Sequence, residues 1–213
     1  MKNIFFTLLL FLSGNILFAQ YDPKALEILD AMGNKYKNLT SFEANLTSSL
    51  INETDGIHEE FKGKITVKGN QFRLALDDQE IINNGTTVWT YIPSIKEVNI
   101  DNADPDTDEM NPSRFYTIYK KGYKYMYLED KTEGGVLCEV VDLVPEKKDA
   151  QYFKIRMNIV KKDKSIQSWT MFDKTGNRYQ YTISKFSGNV KVDDSFFTFD
   201  PKKYPGVEVI DLR

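Results

Sequence analysis

The chain has 213 residues, 28 Lys and Arg against 31 Asp and Glu, one His and one Cys. A formal net charge of −3 carries no strongly basic surface, so nucleic acid is not an expected partner. One Cys cannot form an internal disulfide, and one His with one Cys cannot build the usual form of a zinc site or of a serine or cysteine nucleophile with its base. In chain order, residues 1–19 read as a signal peptide: Lys2 is the positive n-region, Ile4 to Leu12 the apolar run, and Leu17-Phe18-Ala19 the cleavage site. The apolar run is shorter than the ~20 residues a membrane-spanning helix needs. An uncleaved N-terminal anchor is the competing reading. No Cys lies near the cut, so the mature protein is not expected to be a lipoprotein itself.

Residues 20–213 then form one domain of about 190 residues, within reach of a single barrel or sandwich. Asp22-Pro23 opens a helix, Asp as N-cap and Pro at the first position, where the missing N–H costs nothing. Ala25, Ile28, Leu29, Met32, Tyr36 and Leu39 follow at steps of three and four and draw one apolar stripe. From Ser41 the period changes to two, with Phe42, Ala44, Leu46 and Leu50 on one face. In the next strand Phe61, Gly63, Ile65 and Val67 share a face and Lys62, Lys64, Thr66 and Lys68 the other. Gly69-Asn70 makes the turn, and Phe72, Leu74 and Leu76 return on one face with Arg73 opposite. Asn84-Gly85 is a second hairpin turn. It leads to a strand with Trp89 and Tyr91 on one face and Val88 and Ile92 on the other. The expected arrangement is a curved antiparallel sheet whose concave face carries Ile65, Val67, Phe72, Leu74, Trp89 and Tyr91.

After Ile95 to Ile100, the alternate carboxylates Asp104, Asp106 and Asp108 invite a calcium reading. The calcium-loop register places Glu109 and Phe115 where Gly and Glu are needed, so a solvated acidic loop and no metal site are expected. Asn111-Pro112 repeats the cap-then-Pro signature and starts a short helix carrying Phe115, Ile118 and Tyr119. Strands resume at Lys124 to Glu129 and at Val136 to Val144. The second of these is apolar on both faces and should be interior. Tyr152 to Val160, Ser165 to Asp173 and Arg178 to Phe186 follow, and Phe196, Phe197 and Phe199 lead to a terminal strand, Val207 to Leu212. About eleven strands at regular spacing, joined by Gly/Asn turns, argue for a barrel-like or strongly curved sheet.

No phosphate loop or dinucleotide fingerprint is present, and no cofactor is expected. Asp and Glu are abundant enough that a carboxylate pair for glycoside hydrolysis stays open as an alternative. Otherwise the chain reads as a binder rather than an enzyme. Trp89, Tyr91, Met157, Trp169 and Met171 lie on strands, and adaptable Met with broad aromatic faces suits a pocket for flexible apolar ligands. Composition by itself favours an ordinary barrel core for the same residues.

These residues resemble the LolA family of periplasmic lipoprotein carriers. Gly63-x-Ile65-x-Val67-Lys68 and Phe72-Arg73 look like the family's strand pair. Asn84-Gly85-x-x-Val88-Trp89-x-Tyr91-x-Pro93 is similar to its D-G-x-x-[LV]-W-x-Y-x-P segment, with Asn84 in the Asp place. Phe197-Thr198-Phe199-Asp200-Pro201 and Pro205-Gly206-Val207 resemble its close. The resemblance implies an unclosed antiparallel barrel of about eleven strands, covered by short α-helices, whose apolar cavity holds lipoprotein acyl chains. It also implies a monomer that takes lipoproteins from the inner-membrane LolCDE ABC transporter to an outer-membrane acceptor. A lipid-binding envelope sensor of the same fold is the alternative. Leu29, Met32, Tyr36, Phe115, Ile118, Tyr119, Met157 and Trp169 join the concave strand residues as expected cavity or cover positions. The family usually carries an Arg-Pro pair where the first strand turns, and that Arg latches the lid. Lys68-Gly69 stands nearest here, and Arg73 is the other basic candidate.

Overall fold

A computed structural model describes residues 21–103 and 111–213. The signal-peptide reading and the acidic stretch Asp104 to Glu109, expected as a solvated loop, lie outside the described residues. Helix α1 spans Pro23–Lys37 with Pro at its start, and Asp22 caps it by accepting from Lys24 N at 2.8 Å. The other Asp22 oxygen accepts from Tyr127 N at 2.9 Å, so the same carboxylate that starts the helix also fixes it to the sheet. The apolar stripe is the buried side: Ala25, Ile28, Leu29, Met32 and Tyr36.

Twelve strands follow: β1 (Ser41–Asn52), β2 (Ile57–Lys68), β3 (Gln71–Leu76), β4 (Glu80–Asn83), β5 (Thr87–Ile92), β6 (Glu97–Asn102), β7 (Tyr123–Glu133), β8 (Val136–Pro145), β9 (Tyr152–Val160), β10 (Ile166–Asp173), β11 (Arg178–Gly188) and β12 (Glu208–Asp211). They form one sheet in the order β12-β6-β5-β4-β3-β2-β1-β11-β10-β9-β8-β7. The pairings are antiparallel except the parallel β12–β6 edge, and the end strands β12 and β7 do not pair with each other, which leaves the barrel unclosed. The strand absent from the sequence reading is β4, four residues long and inserted between the two expected strands. The turn at Gly85 does form, with φ of 94°, as Asn83 Oδ1 accepts from Gly85 N at 2.6 Å and Asn84 Oδ1 from Thr87 N at 2.8 Å.

The N-terminal and C-terminal runs of strands join at β1, which pairs with β2 on one side and β11 on the other. The β1–β11 register shifts after Asn45, where the partner jumps from Lys185 to Ile183 and leaves Ser184 extra. A bulge of this kind puts Ile183 and Phe186 on one face although they are an odd number apart. The segment after Pro112 is a 3-10 helix, Phe115–Lys120, rather than the expected α-helical turn. Asn111 Oδ1 accepts from Ser113 N and Ser113 Oγ before it starts, while Arg114 provides no side-chain cap.

Two apolar clusters fill the concave side. One joins α1 and the 3-10 segment to β7–β10 through Leu29, Met32, Val141, Leu143, Ile155 and Met157. The other gathers Ala44, Leu46, Ile65, Val67 and Phe72 on β1–β3. A third lies on the convex side, where Ile82 and Val98 meet Trp89, Tyr91, Phe199 and Tyr204 under the chain's C-terminal segment.

Candidate functional site

Phe42, Tyr181 and Phe186 pack against both concave clusters, and beside them a cavity of about 320 Å³ remains. That volume is at the lower end of the range for small-molecule sites, roughly 300–1,000 Å³. Phe42, Ala44 and Leu46 of β1, Ile65 of β2, Phe72 and Leu74 of β3, Ile81 of β4 and Val88 of β5 form one wall. Ile166, Trp169 and Met171 of β10 and Tyr181, Ile183 and Phe186 of β11 form the other. Tyr36 at the end of α1 and Pro112, Phe115 and Tyr116 at the 3-10 segment stand over it, and Tyr152 completes the lining. Among the described residues none of the lining side chains is charged.

Aromatic contacts hold both ends of the cavity. Tyr36 lies edge-on to Phe42 at 5.5 Å and to Phe186 at 5.6 Å, and it stacks on Tyr116 at 5.5 Å. Its hydroxyl accepts from Ile166 N at 3.0 Å, joining the helix to β10. Burial pushes the Tyr36 phenol up to about 12, the charge of Asp163 adds to the rise, and the Ile166 N–H opposes it. At the other end Trp169 stacks on Tyr181 at 4.8 Å and meets Phe115 at 4.7 Å.

The cover is tied to itself. Tyr119 of the 3-10 segment donates to Asp30 Oδ1 of α1 at 2.6 Å. Gly33 makes this approach possible, because a Cβ there would stand 3.0 Å from the Tyr119 oxygen. Burial, followed by the bond to Asp30 and its charge, raises the Tyr119 phenol well above its ordinary range.

Of the side chains expected to form the site, Tyr36, Ile65, Phe72, Leu74, Phe115 and Trp169 line the cavity. Val67 is buried in the neighbouring β1–β3 cluster. Leu29, Met32 and Met157 are fully buried beneath α1, and Ile118 and Tyr119 pack at the contact between α1 and the 3-10 segment. Trp89 and Tyr91 are on the wrong side. In the register Leu74 faces Ile81 and Phe72 faces Asn83, which faces Val88, whereas Trp89 faces Ile82 and Ile100 on the convex surface. Both faces of β5 are apolar, so alternation paired Trp89 with Tyr91 correctly but could not orient them.

The two basic candidates for control of the cover are also convex. Lys68 Nζ donates to Val192 O at 3.1 Å and to Asp194 Oδ1 at 2.7 Å. Arg73 donates to Glu80 Oε1 at 2.7 Å, to Phe196 O at 3.1 Å and to the Tyr204 oxygen at 3.0 Å. Both clamp the C-terminal segment against the back of the sheet, and neither touches the cover. The hydrogen bond that joins the cover's two parts beside the Tyr36–Tyr116 stack, Tyr119 to Asp30, has no spacing signature across 89 residues.

Phe42, Ala44 and Leu46 could have been found from their own alternation. Ile183 and Phe186 could not, because the bulge breaks the period. His58 is exposed and Cys138 buried, the latter pushed up to about 11 by burial with Glu133 adding to the rise. Among the described residues no group of three or more His, Cys, Asp or Glu side chains is placed to hold a metal.

The sequence model of a family described as "Outer membrane lipoprotein carrier protein LolA" matches residues 37–200. An outer-membrane lipoprotein carrier protein of Yersinia pestis bv. Antiqua (strain Angola) is 25% identical over 194 residues, covering 84% of this chain and 86% of that one. One of Pseudomonas paraeruginosa is 27% identical over 196 residues, covering 89% and 88%. Among solved structures, an uncharacterized conserved protein from Thermus thermophilus is similar with a TM-score of 0.60 at 12% identity, over 88% of this chain and 99% of that one. The Mycobacterium tuberculosis lipoprotein LppX is similar with a TM-score of 0.51 at 11% identity, over 81% and 98%. At such identities the structures speak to the fold alone.

Proposed function

The chain belongs to the LolA family of outer membrane lipoprotein carrier proteins, and from that premise we propose that it shields lipoprotein acyl chains in its cavity during transit across the periplasm. The observation that carries this reading is the cavity lining: apolar and aromatic side chains from both halves of the sheet, with no charged group among those described. Each methylene taken from water is worth about 0.8 kcal/mol, so long chains need such a shield to cross an aqueous compartment. The same lining offers no carboxylate for the glycoside hydrolysis considered above, which supports the carrier reading over that alternative.

In this reading residues 1–19 direct export and are removed, and residues 20–213 act as a single carrier domain and as a monomer. The donor is the inner-membrane LolCDE transporter and the receiver an outer-membrane acceptor. Binding must also be reversible, since very tight noncovalent capture would prevent delivery. A small cover fastened by few contacts meets that need, and the Tyr119–Asp30 bond with the Phe115–Trp169 contact is such a fastening.

The test is release of an acylated lipoprotein from spheroplasts or from membranes bearing reconstituted LolCDE, with and without the purified domain 20–213. A soluble complex containing the lipoprotein is expected. If the lipoprotein stays with the membrane, the carrier reading is wrong. Acyl-chain binding without release would point instead to the envelope sensor of the same fold.

A further inference from the structure

Trp169 stands in the cavity wall on β10, its ring held between Tyr181 and Phe115 at 4.8 and 4.7 Å. Its indole Nε1 is shielded from water and has no acceptor, and among the described residues it is the one buried side-chain nitrogen or oxygen left so. Native interiors pair such donors, because an unmade hydrogen bond to a buried N–H costs more than a made one returns. The tyrosine of the opposite end shows the ordinary outcome: the Tyr36 hydroxyl is satisfied by Ile166 N. An orphan donor in the wall of an otherwise apolar site is a place where a ligand acceptor would be recognised.

We propose that the Trp169 Nε1–H donates to the carbonyl oxygen of an ester-linked acyl chain once Phe115 is displaced, so that the cavity selects chains by their carbonyl as well as by their methylenes. This rests on the acyl-carrier reading above and adds to it the part of the lipid that is oriented. In the closed arrangement Phe115 lies against the indole, and it belongs to the 3-10 segment fastened to α1 through Tyr119. Cover movement and carbonyl recognition are thereby joined at one ring. A site built around such a donor discriminates against a ligand that cannot accept from it, because the donor then stays buried and unpaired.

The experiment compares 1,2-dimyristoylglycerol with its dialkyl ether analogue, which has the same chains and no carbonyl. The full domain 20–213 is used, alongside a variant with 3-benzothienylalanine at position 169, which keeps the bicyclic shape and lacks the N–H. The wild-type protein should bind the diester roughly three- to tenfold more tightly than the diether, and the variant should bind both equally. In the wild-type protein, labelled at the indole nitrogens, the Trp169 N–H proton should move downfield with the diester and little with the diether. The indole of Trp89, on the convex face, should move with neither. A diester preference that survives in the variant, or a Trp169 resonance indifferent to the diester, overturns the proposal. Equal wild-type binding of the two lipids also overturns it while leaving the carrier reading intact. Failure of both lipids to bind the wild-type protein removes the carrier reading and this inference together.

Discussion

The two halves of the concave face are built from the same kinds of strand, yet one is filled and the other is not. Under α1, Leu29 and Met32 meet Val141, Leu143, Ile155 and Met157, all fully buried. Across the sheet Ile65, Phe72, Leu74 and Ile81 present an equivalent apolar surface and border a cavity of about 320 Å³. The strands do not account for the difference; the cover does. A helix of fifteen residues is about 22 Å long, and here its stripe lies over β7–β10. What remains for the other half is the end of α1 at Tyr36 and the six-residue 3-10 segment, enough to roof the space but not to fill it. A binding site can thus arise where an ordinary core is left without its last layer.

That comparison is open to direct attack. The largest effect should come from Leu29→Ala, which removes a fully buried side chain from the filled half and should cost about 2–5 kcal/mol in urea unfolding. Leu74→Ala, in the wall of an existing cavity, should cost less than about 1.5 kcal/mol, because its neighbours are already incompletely packed. Equal losses would mean that the two halves are packed alike and that the contrast is false.

Tyr36, at the boundary between the halves, should show as alkaline sensitivity. Its folded-state phenol is raised from 10.0 to about 12, so its contribution is whole below about pH 10 and is lost as pH climbs toward 12. The loss should be about 2 kcal/mol across that window. Unfolding measured at intervals through it should fall less steeply for Tyr36→Phe, even though that variant starts lower by leaving Ile166 N unpaired. Parallel slopes would place the alkaline sensitivity elsewhere.

A modest effect on stability, with a change in uptake rate, should come from the cover's own fastening. Tyr119→Phe removes the bond to Asp30 at a cost of about 1–2 kcal/mol and should speed uptake of a fluorescent fatty acid. Arg73→Lys, which acts on the C-terminal segment of the convex side, should leave the uptake rate unchanged. Faster uptake in the arginine variant would transfer control of the cover to the back of the sheet.

Local sequence carried the helix, its cap and its stripe, the turns at Gly69 and Gly85, and the alternation that groups Phe72 with Leu74 or Trp89 with Tyr91. These follow from the periods of helix and strand and from residues that accept positive φ, all of which act over a few positions. Tertiary structure alone decided which side of the sheet each group faces. Val88 and Trp89 are both apolar enough to be buried, and the difference is made by Phe199 and Tyr204, more than a hundred residues away, which lie against Tyr91 on the face it shares with Trp89, while Val88 is left to the cavity. It likewise decided that β1 meets β11 with a bulge, and that Tyr119 rather than Lys68 or Arg73 holds the cover. Alternation specifies a pair of faces, and burial of one of them is settled only by what the rest of the chain brings to lie against it.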